Sequence, residues 1–214
     1  MSLYMGLRRV FASGIKLLFG MRVRGREEIP EQGRVILCSN HRSLADPILL
    51  GMSIKKRQVR YMAKAELFQK KAAGRFLRAL GAFPVRRGTG DQQAMAYAQE
   101  ILQQEGMLGI FPQGHIIPAG VPFAPKSGVA ALAYAAKAPV LPVCIYCKGD
   151  IKPFCGVTVH FGKLIPYEAF GFTDGNRQEL KAAAALVAER VNALLEQEAG
   201  GMPEQGMPER DGAV

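Results

Sequence analysis

Short apolar runs alternate with longer amphipathic stretches along most of this chain, and this alternation restricts the fold more than any other feature. Runs such as 34–40 (RVILCSN) and 139–147 (PVLPVCIYC) have the composition of buried strands. Stretches such as 65–80 and 177–199 repeat their apolar residues at helical spacing. Strands that alternate with helices predict an α/β fold. We therefore expect a mixed, largely parallel sheet that is covered by helices.

The chain divides into one main unit and two flanking segments. Its 214 residues favour a single core. Residues 1–22 predict an amphipathic helix, which is either a core helix or a membrane-interface helix with its cations on lipid headgroups; the missing acidic residues favour the interface. Residues 23–199 should form the folded domain. Residues 200–214 repeat Gly-Met-Pro-Glu and lack large apolar groups, so we expect a disordered tail.

The net charge of +10 indicates a polyanionic partner, since anionic lipids, phosphorylated substrates and nucleic acids all attract such a chain. The basic charge is concentrated in the zones 1–26 and 55–87, and the chain has no Trp to stack on bases, which argues against nucleic acid. Cys144 and Cys147 have the spacing of half a zinc site, but no second pair exists at ligand spacing. We expect reduced thiols and no metal.

A histidine and an aspartate follow the first apolar run, and their spacing allows two interpretations. Asp46 stands before Pro47 and would cap a helix there. Alternatively, His41 is a general base, largely neutral at pH 7, whose tautomer is fixed by the Asp46 carboxylate. The sequence contains no Gly-x-Ser-x-Gly elbow and no Gly-x-x-x-x-Gly-Lys loop. Such a base would therefore have to activate a substrate hydroxyl or a water.

Two further blocks carry polar residues where predicted strands end. Arg86 and Arg87 follow the strand 82–85. They are either two solvated arginines or two guanidinium groups that bind a phosphate. The turn Phe-Pro-Gln-Gly follows another predicted strand; it holds Gln113 between a proline and a glycine, with His115 directly after it. Each block alone is compatible with ordinary turn chemistry.

In their order and spacing, the blocks NHRSLAD, GAFPVRR, FPQG and PVLPV resemble the four motifs of the 1-acylglycerol-3-phosphate acyltransferase family (lysophosphatidic acid acyltransferases). The resemblance extends from about Val23 to Ile165. It implies an acyltransferase domain over 23–199, which moves a fatty acyl group from acyl-CoA or acyl carrier protein to lysophosphatidic acid and gives phosphatidic acid. It implies no metal and no cofactor beyond this co-substrate, because a thioester is already activated.

The resemblance also implies roles for individual residues. His41 would be the general base and Asp46 the carboxylate that orients it. The implied substrate-binding residues are Asn40, Arg86, Arg87, Gln113, Gly114, His115 and Lys126. The implied partners are anionic membrane lipids, a lysophospholipid acceptor and the acyl donor, with no nucleic acid. A peripheral location on the cytoplasmic face of a membrane suits such an enzyme.

The third motif departs from the family pattern. Gln113 stands where the family usually has glutamate, and His115 and Ile116 stand where it has Thr-Arg, so one expected phosphate-binding cation is absent. Arg86, at a position that is usually acidic, would restore this charge. The departures leave the acceptor open between lysophosphatidic acid, glycerol 3-phosphate and another lysolipid. They also leave open a catalytically silent lipid-binding module.

Overall fold

The structure is a computed structural model, and it describes residues 12–86, 91–118 and 120–200. The prediction for Arg87 falls outside these residues. So do half of the predicted N-terminal helix and nearly all of the predicted tail.

The fold is built on one mixed sheet, which has seven strands within the described residues. The strands are β1 (Arg22–Arg24), β2 (Val35–Ser39), β3 (Val59–Lys64), β4 (Ala82–Val85), β5 (Met107–Ile110), β6 (Val140–Tyr146) and β7 (Thr158–Phe161). Their order across the sheet is β1-β7-β6-β2-β5-β3-β4. The pair β6 and β7 is antiparallel, and the other neighbouring pairs are parallel. The prediction of an α/β fold with a largely parallel sheet is confirmed.

Helices pack on both faces of this sheet. They are α1 (described over 12–19), α2 (Asp46–Ser53), α3 (Lys71–Ala79), α4 (Gln92–Gln103), α5 (Gly128–Ala136) and α6 (Arg177–Gly200). Helices α4, α5 and α6 bury one face, and α2 packs against the other together with apolar residues of α1. None of the helices in the described part of the chain is both long enough and apolar enough to span a bilayer.

Strand β2 lies between β5 and β6, and all of its residues are buried. Ile36 and Cys38 belong to the cluster under α4, α5 and α6, whereas Val35 and Leu37 belong to the cluster on the opposite face. A parallel strand that is covered on both faces needs apolar residues at every position. This explains why polar and apolar residues do not alternate in the run VILC.

The helix predicted over 65–80 is two elements, so this part of the prediction is wrong. A short 3-10 turn occupies Ala65–Phe68, Lys70 is extended, and α3 begins at Lys71. The two elements pack closely, since a β-carbon on Gly74 would lie 2.9 Å from the Phe68 carbonyl oxygen. Helical periodicity does not reveal the break, because Phe68 and Leu77, one from each element, pack against the same core cluster.

Four parallel strands, β2, β5, β3 and β4, lie side by side and therefore end at one edge of the sheet. The loops that leave this edge carry His41, Arg86 and Gln113. Ligands of open α/β sheets bind outside the carboxyl ends of the strands. The topology thus gathers residues that are far apart in the sequence at the edge where a site is expected.

A glycine in β5 supports an aromatic row that leads to this edge. A β-carbon on Gly109 would lie 2.5 Å from Cε1 of Tyr61, so the Tyr61 ring lies directly over the glycine. The Tyr61 ring stacks on Phe111 with the centroids 6.4 Å apart, and Phe111 lies 4.6 Å from the His41 ring. The missing side chain at position 109 therefore makes room for the rings beside His41.

We expect Gly109→Ala to lower the free energy of unfolding by about 1–3 kcal/mol, because Tyr61 would have to move within a packed core. Urea denaturation measures this change. Gly128→Ala is the matched control, since a β-carbon there meets nothing within 4 Å. Its effect should stay within about 1 kcal/mol. Equal losses in the two variants would contradict the close packing of Tyr61.

Candidate active site

His41 and Asp46 are in direct contact at the end of β2. The His41 Nδ1 atom lies 2.8 Å from Asp46 Oδ2; the Asp46 side chain is fully buried and the His41 side chain is 10% exposed. The same carboxylate oxygen accepts hydrogen bonds from the backbone N–H groups of Arg42 at 2.6 Å and Ser43 at 2.8 Å. Three interactions on one oxygen hold the carboxylate inside the turn that contains the histidine.

The interpretation of Asp46 as a helix cap is wrong. Asp46 is the first residue of α2 and Ala45 is the N-cap, without a side-chain hydrogen bond to the helix; Pro47 follows at the second helical position. The Asp46 carboxylate points back to the preceding turn instead of to the N–H groups of its own helix. Of the two interpretations that the sequence left open, the geometry supports the contact between imidazole and carboxylate.

The contact with Asp46 determines which ring nitrogen of His41 is available. An ionised carboxylate only accepts hydrogen bonds, so a neutral imidazole in this pair carries its proton on Nδ1 and keeps a lone pair on Nε2. The backbone on either side is also fixed: the N–H group of His41 donates to Gln113 Oε1 at 3.2 Å, and the N–H group of Ile117 donates to the His41 carbonyl at 2.8 Å. The imidazole is therefore held in one orientation.

Asn40 connects the same turn to β6. Its Nδ2 atom donates to the carbonyl of Ile145 at 3.0 Å, and its Oδ1 atom accepts from the N–H group of Ile145 at 2.8 Å. The residue is buried. Its amide therefore ties the turn to the neighbouring strand, and the substrate-binding role implied for Asn40 stays a prediction.

His41 lines a cavity of about 1080 Å³ at the carboxyl edge of the sheet. The cavity has a polar side that contains most of the predicted substrate-binding residues: Arg86, Gln113, Gly114, His115 and Lys126. Its other walls are apolar and come mainly from β3, α2, α3, α4 and α5; they include Ile48, Met62, Leu77, Leu80, Met95 and Leu132. Local sequence patterns do not indicate these wall residues, because their helical or strand spacing is the same as that of core residues.

Local backbone geometry brings the predicted cations to the polar side. A β-carbon on Gly114, whose φ is +79°, would lie 3.9 Å from Lys126 Nζ, so the ammonium group lies next to this turn. The N–H group of Arg86 donates to Asp91 Oδ2 at 2.8 Å. Hydrogen bonds from the backbone N–H groups of Arg86 and Ala94 lower the pKa of the Asp91 carboxyl. This aspartate therefore connects the start of α4 to the backbone of Arg86.

Cys38, Cys144 and Cys147 do not supply a nucleophile for His41. Burial raises the pKa of the Cys38 and Cys144 thiols far above the usual value. Burial also raises the pKa of Cys147, to about 11. Thiols with such pKa values stay protonated near neutral pH. Over residues 12–86, 91–118 and 120–200, no group of three or more His, Cys, Asp or Glu side chains could hold a metal ion.

The known proteins that this chain resembles are acyltransferases. Residues 20–146 match a family model described as Acyltransferase. The chain is 32% identical over 155 residues to the 1-acyl-sn-glycerol-3-phosphate acyltransferase of Bacillus subtilis (strain 168), covering 68% of this chain and 77% of that protein. It is 34% identical over 119 residues to the enzyme of the same name from Streptococcus pneumoniae (strain ATCC BAA-255 / R6), covering 55% of this chain and 44% of that protein.

A human relative and a solved structure extend the comparison. The chain is 32% identical over 158 residues to the human 1-acyl-sn-glycerol-3-phosphate acyltransferase alpha, covering 68% of this chain and 55% of that protein. The crystal structure of the 1-acyl-sn-glycerophosphate (LPA) acyltransferase PlsC from Thermotoga maritima superposes with a TM-score of 0.70 at 24% identity, over 95% of this chain and 86% of that one. This structural likeness shows a shared fold.

We expect Asn40→Ala to lower the free energy of unfolding by about 1–3 kcal/mol, because it leaves the buried N–H and C=O groups of Ile145 without partners. Hydrogen exchange at the Ile145 amide should become faster. Asn192→Ala is the matched control, since Asn192 makes the same two bonds to the backbone of Phe123, at 2.8 and 3.0 Å. It should leave the Ile145 amide protected. An Ile145 amide that stays protected in Asn40→Ala would contradict the role given to Asn40.

Proposed function

This chain belongs to the Acyltransferase family, and from that premise we propose that it transfers a fatty acyl group from a thioester to the free hydroxyl of 1-acyl-sn-glycerol-3-phosphate (lysophosphatidic acid). The product is phosphatidic acid. The three curated relatives described above are named for this acceptor. The observation that carries the proposal is the His41–Asp46 pair, at 2.8 Å, with His41 on the wall of a cavity whose lining is mostly apolar.

In this mechanism His41 is the general base and Asp46 holds it in the correct tautomer. The Nε2 atom takes the proton of the acceptor hydroxyl while the oxygen attacks the thioester carbonyl, and the carboxylate stabilises the imidazolium that forms. As the tetrahedral intermediate collapses, the carbon–sulfur bond breaks and the thiolate takes the proton from Nε2. One ester bond forms, one thioester bond breaks and the imidazole returns to its neutral form.

The cavity suits the two lipid substrates of this reaction. Its apolar walls offer a favourable environment for acyl chains, because burying each methylene group contributes about 0.8 kcal/mol. Arg86, Lys126 and His115 on the polar side are candidates for binding the acceptor phosphate. The departure at Gln113 is compatible with this function, since its Oε1 atom accepts the hydrogen bond from the His41 N–H group that a glutamate would accept.

A catalytically silent lipid-binding module is the second candidate, and the burial of Asp46 argues against it. Removing a carboxylate from water costs several kcal/mol before its hydrogen bonds compensate for the loss. A protein that only encloses lipid has no use for a buried carboxylate that destabilises its fold in this way. A catalytic base does need such a carboxylate, because the carboxylate holds the ring in one tautomer and stabilises its charged form.

We also propose that the protein acts as a peripheral protein on the cytoplasmic face of a membrane, with anionic lipids around it. Three apolar side chains line the cavity and are exposed at its mouth: Leu44 at 76%, Leu67 at 45% and Phe76 at 58%. Exposed apolar groups beside a lipid cavity suit transfer of a lipid from a bilayer. The exposed Lys71 and Arg75 of α3 would contact anionic headgroups.

We expect His41→Ala to lower kcat by about 10³-fold, because the reaction loses its base. Thiol release from the acyl donor, with detergent-solubilised lysophosphatidic acid, measures the rate. Asp46→Asn should also lower kcat, since the amide cannot stabilise the imidazolium. His160→Gln is the control: His160 is another histidine in contact with a carboxylate, at 2.8 Å from Glu198, and it should not affect the rate.

The same assay separates the two candidate functions. Thiol release that depends on both the acceptor and His41 supports the transferase. Lipid binding by the unaltered protein without thiol release would instead identify a silent module. Full activity in His41→Ala would remove the imidazole from the mechanism.

We expect Arg86→Ala to raise KM for lysophosphatidic acid by about 10-fold, because a charge-assisted hydrogen bond to the acceptor phosphate is lost. Steady-state kinetics with varied acceptor measures this change. A monoacylglycerol acceptor, which has no phosphate, provides the control, and its KM should not change. If KM for lysophosphatidic acid also stays the same, Arg86 does not replace the cation missing from the third motif.

A further inference from the structure

A second cavity of about 720 Å³ lies along the edge strand β4, and its lining is basic and aromatic. We call it the arginine groove. Its main polar and aromatic lining residues are Arg60, Arg78, Arg86, Gln93 and Tyr97. It shares Ala82, Arg86 and Asp91 with the cavity of His41, so the two cavities meet between the end of β4 and the start of α4.

The guanidinium groups of the groove are held by aromatic rings. Arg60 donates to the Tyr97 hydroxyl at 2.7 Å and lies 5.8 Å from the centroid of that ring. The Arg78 guanidinium lies 5.2 Å from the centroid of the Phe68 ring. Within the part of the chain that the structure describes, neither Arg60 nor Arg78 forms an ion pair with a carboxylate. Their charges are therefore available to an anionic ligand.

The Nε atom of Arg60 gives a second indication of a ligand. This atom is buried and has no hydrogen-bond partner. A buried donor without a partner costs about 1–3 kcal/mol. An acceptor that enters the groove from outside the chain would recover this free energy. Phosphate oxygens are suitable acceptors, because a guanidinium group binds them through two parallel hydrogen bonds.

We propose that the arginine groove binds the phosphorylated nucleotide of an acyl-CoA donor; this proposal rests on the acyl transfer proposed above. Arg60 and Arg78 bind the phosphates, and the half-exposed ring of Tyr97 offers a face on which an adenine stacks. A concave groove with a few convergent polar groups is typical of a site for a small molecule. The acidic surface of a carrier protein would instead need an exposed convex patch.

The position of the groove relative to His41 fits this donor. Strand β4 is three strands away from β2 in the sheet order. At about 4.8 Å per strand, the groove lies roughly 14 Å from the turn of His41. The extended pantetheine arm of coenzyme A spans a gap of this order, and it would run along the carboxyl edge of the sheet. The thioester then reaches His41 while the nucleotide remains in the groove.

Binding of adenosine 3′,5′-bisphosphate, measured by isothermal titration calorimetry, tests the groove without any turnover. We expect Arg60→Ala and Arg78→Ala each to weaken binding by about 10-fold. Arg75→Ala is the matched control, because Arg75 is an exposed arginine of the same helix as Arg78 and is not part of the groove lining; it should bind like the unaltered protein. No binding, equal losses in all three variants, or an equal affinity for inorganic phosphate would overturn the proposal.

Kinetics with two donors provides the second test. Arg78→Ala should raise KM for acyl-CoA by about 10-fold and leave KM for lysophosphatidic acid unchanged. It should not change kcat/KM for acyl-pantetheine, which has no nucleotide. An equal loss with both donors would overturn the proposal. Weaker binding of Arg78→Ala to anionic vesicles, together with an unchanged KM for acyl-CoA, would also overturn the proposal, because Arg78 would then contact lipid. If no donor reacts, the proposed function fails, and the calorimetry still decides what the groove binds.

Discussion

The contact between the buried Asp46 carboxylate and the His41 imidazole is the interaction on which the site depends. A carboxylate that is withdrawn from water needs partners that compensate for its lost hydration. Asp46 Oδ2 meets the imidazole and two backbone N–H groups, whereas within the described residues the buried Oδ1 atom has no hydrogen-bond partner. The surrounding fold fixes the turn from two sides. Asn40 binds it to β6, and Gln113, from the loop after β5, binds the His41 N–H group. The geometry of the pair is thus a consequence of the central position of β2.

Much of the fold and part of the site could be predicted from the sequence, because they depend on local patterns. The unbroken apolar run of β2 predicted a buried strand, and the alternation of strands and helices predicted the class of sheet. The family resemblance implied substrate-binding roles for Arg86 and Gln113, and both residues line the same cavity as His41. The family resemblance, which rested on these blocks, agrees with the family match over residues 20–146.

The features that could not be predicted depend on contacts between distant parts of the chain. Asn40 bonds to Ile145, which is 105 positions away, and no local pattern indicates that β6 lies beside β2. His160 contacts Glu198 over 38 positions, so a second histidine–carboxylate pair was invisible in the sequence. The role of Asp46 stayed open because helix caps and orienting carboxylates have the same local spacing. The arginine groove requires β3, α3 and α4 to be adjacent, which only the folded chain shows.

Nitrogen-15 NMR of the histidine side chains tests the central claim most directly, because it reports which ring nitrogen carries the proton. The chain has three histidines, and the spectrum of His41→Ala identifies the signals of His41. At a pH where this ring is neutral, the account predicts a proton on Nδ1 and an unprotonated Nε2 whose signal shifts when lysophosphatidic acid is added. A proton on Nε2, or an Nε2 signal that does not respond to the lipid, would contradict it.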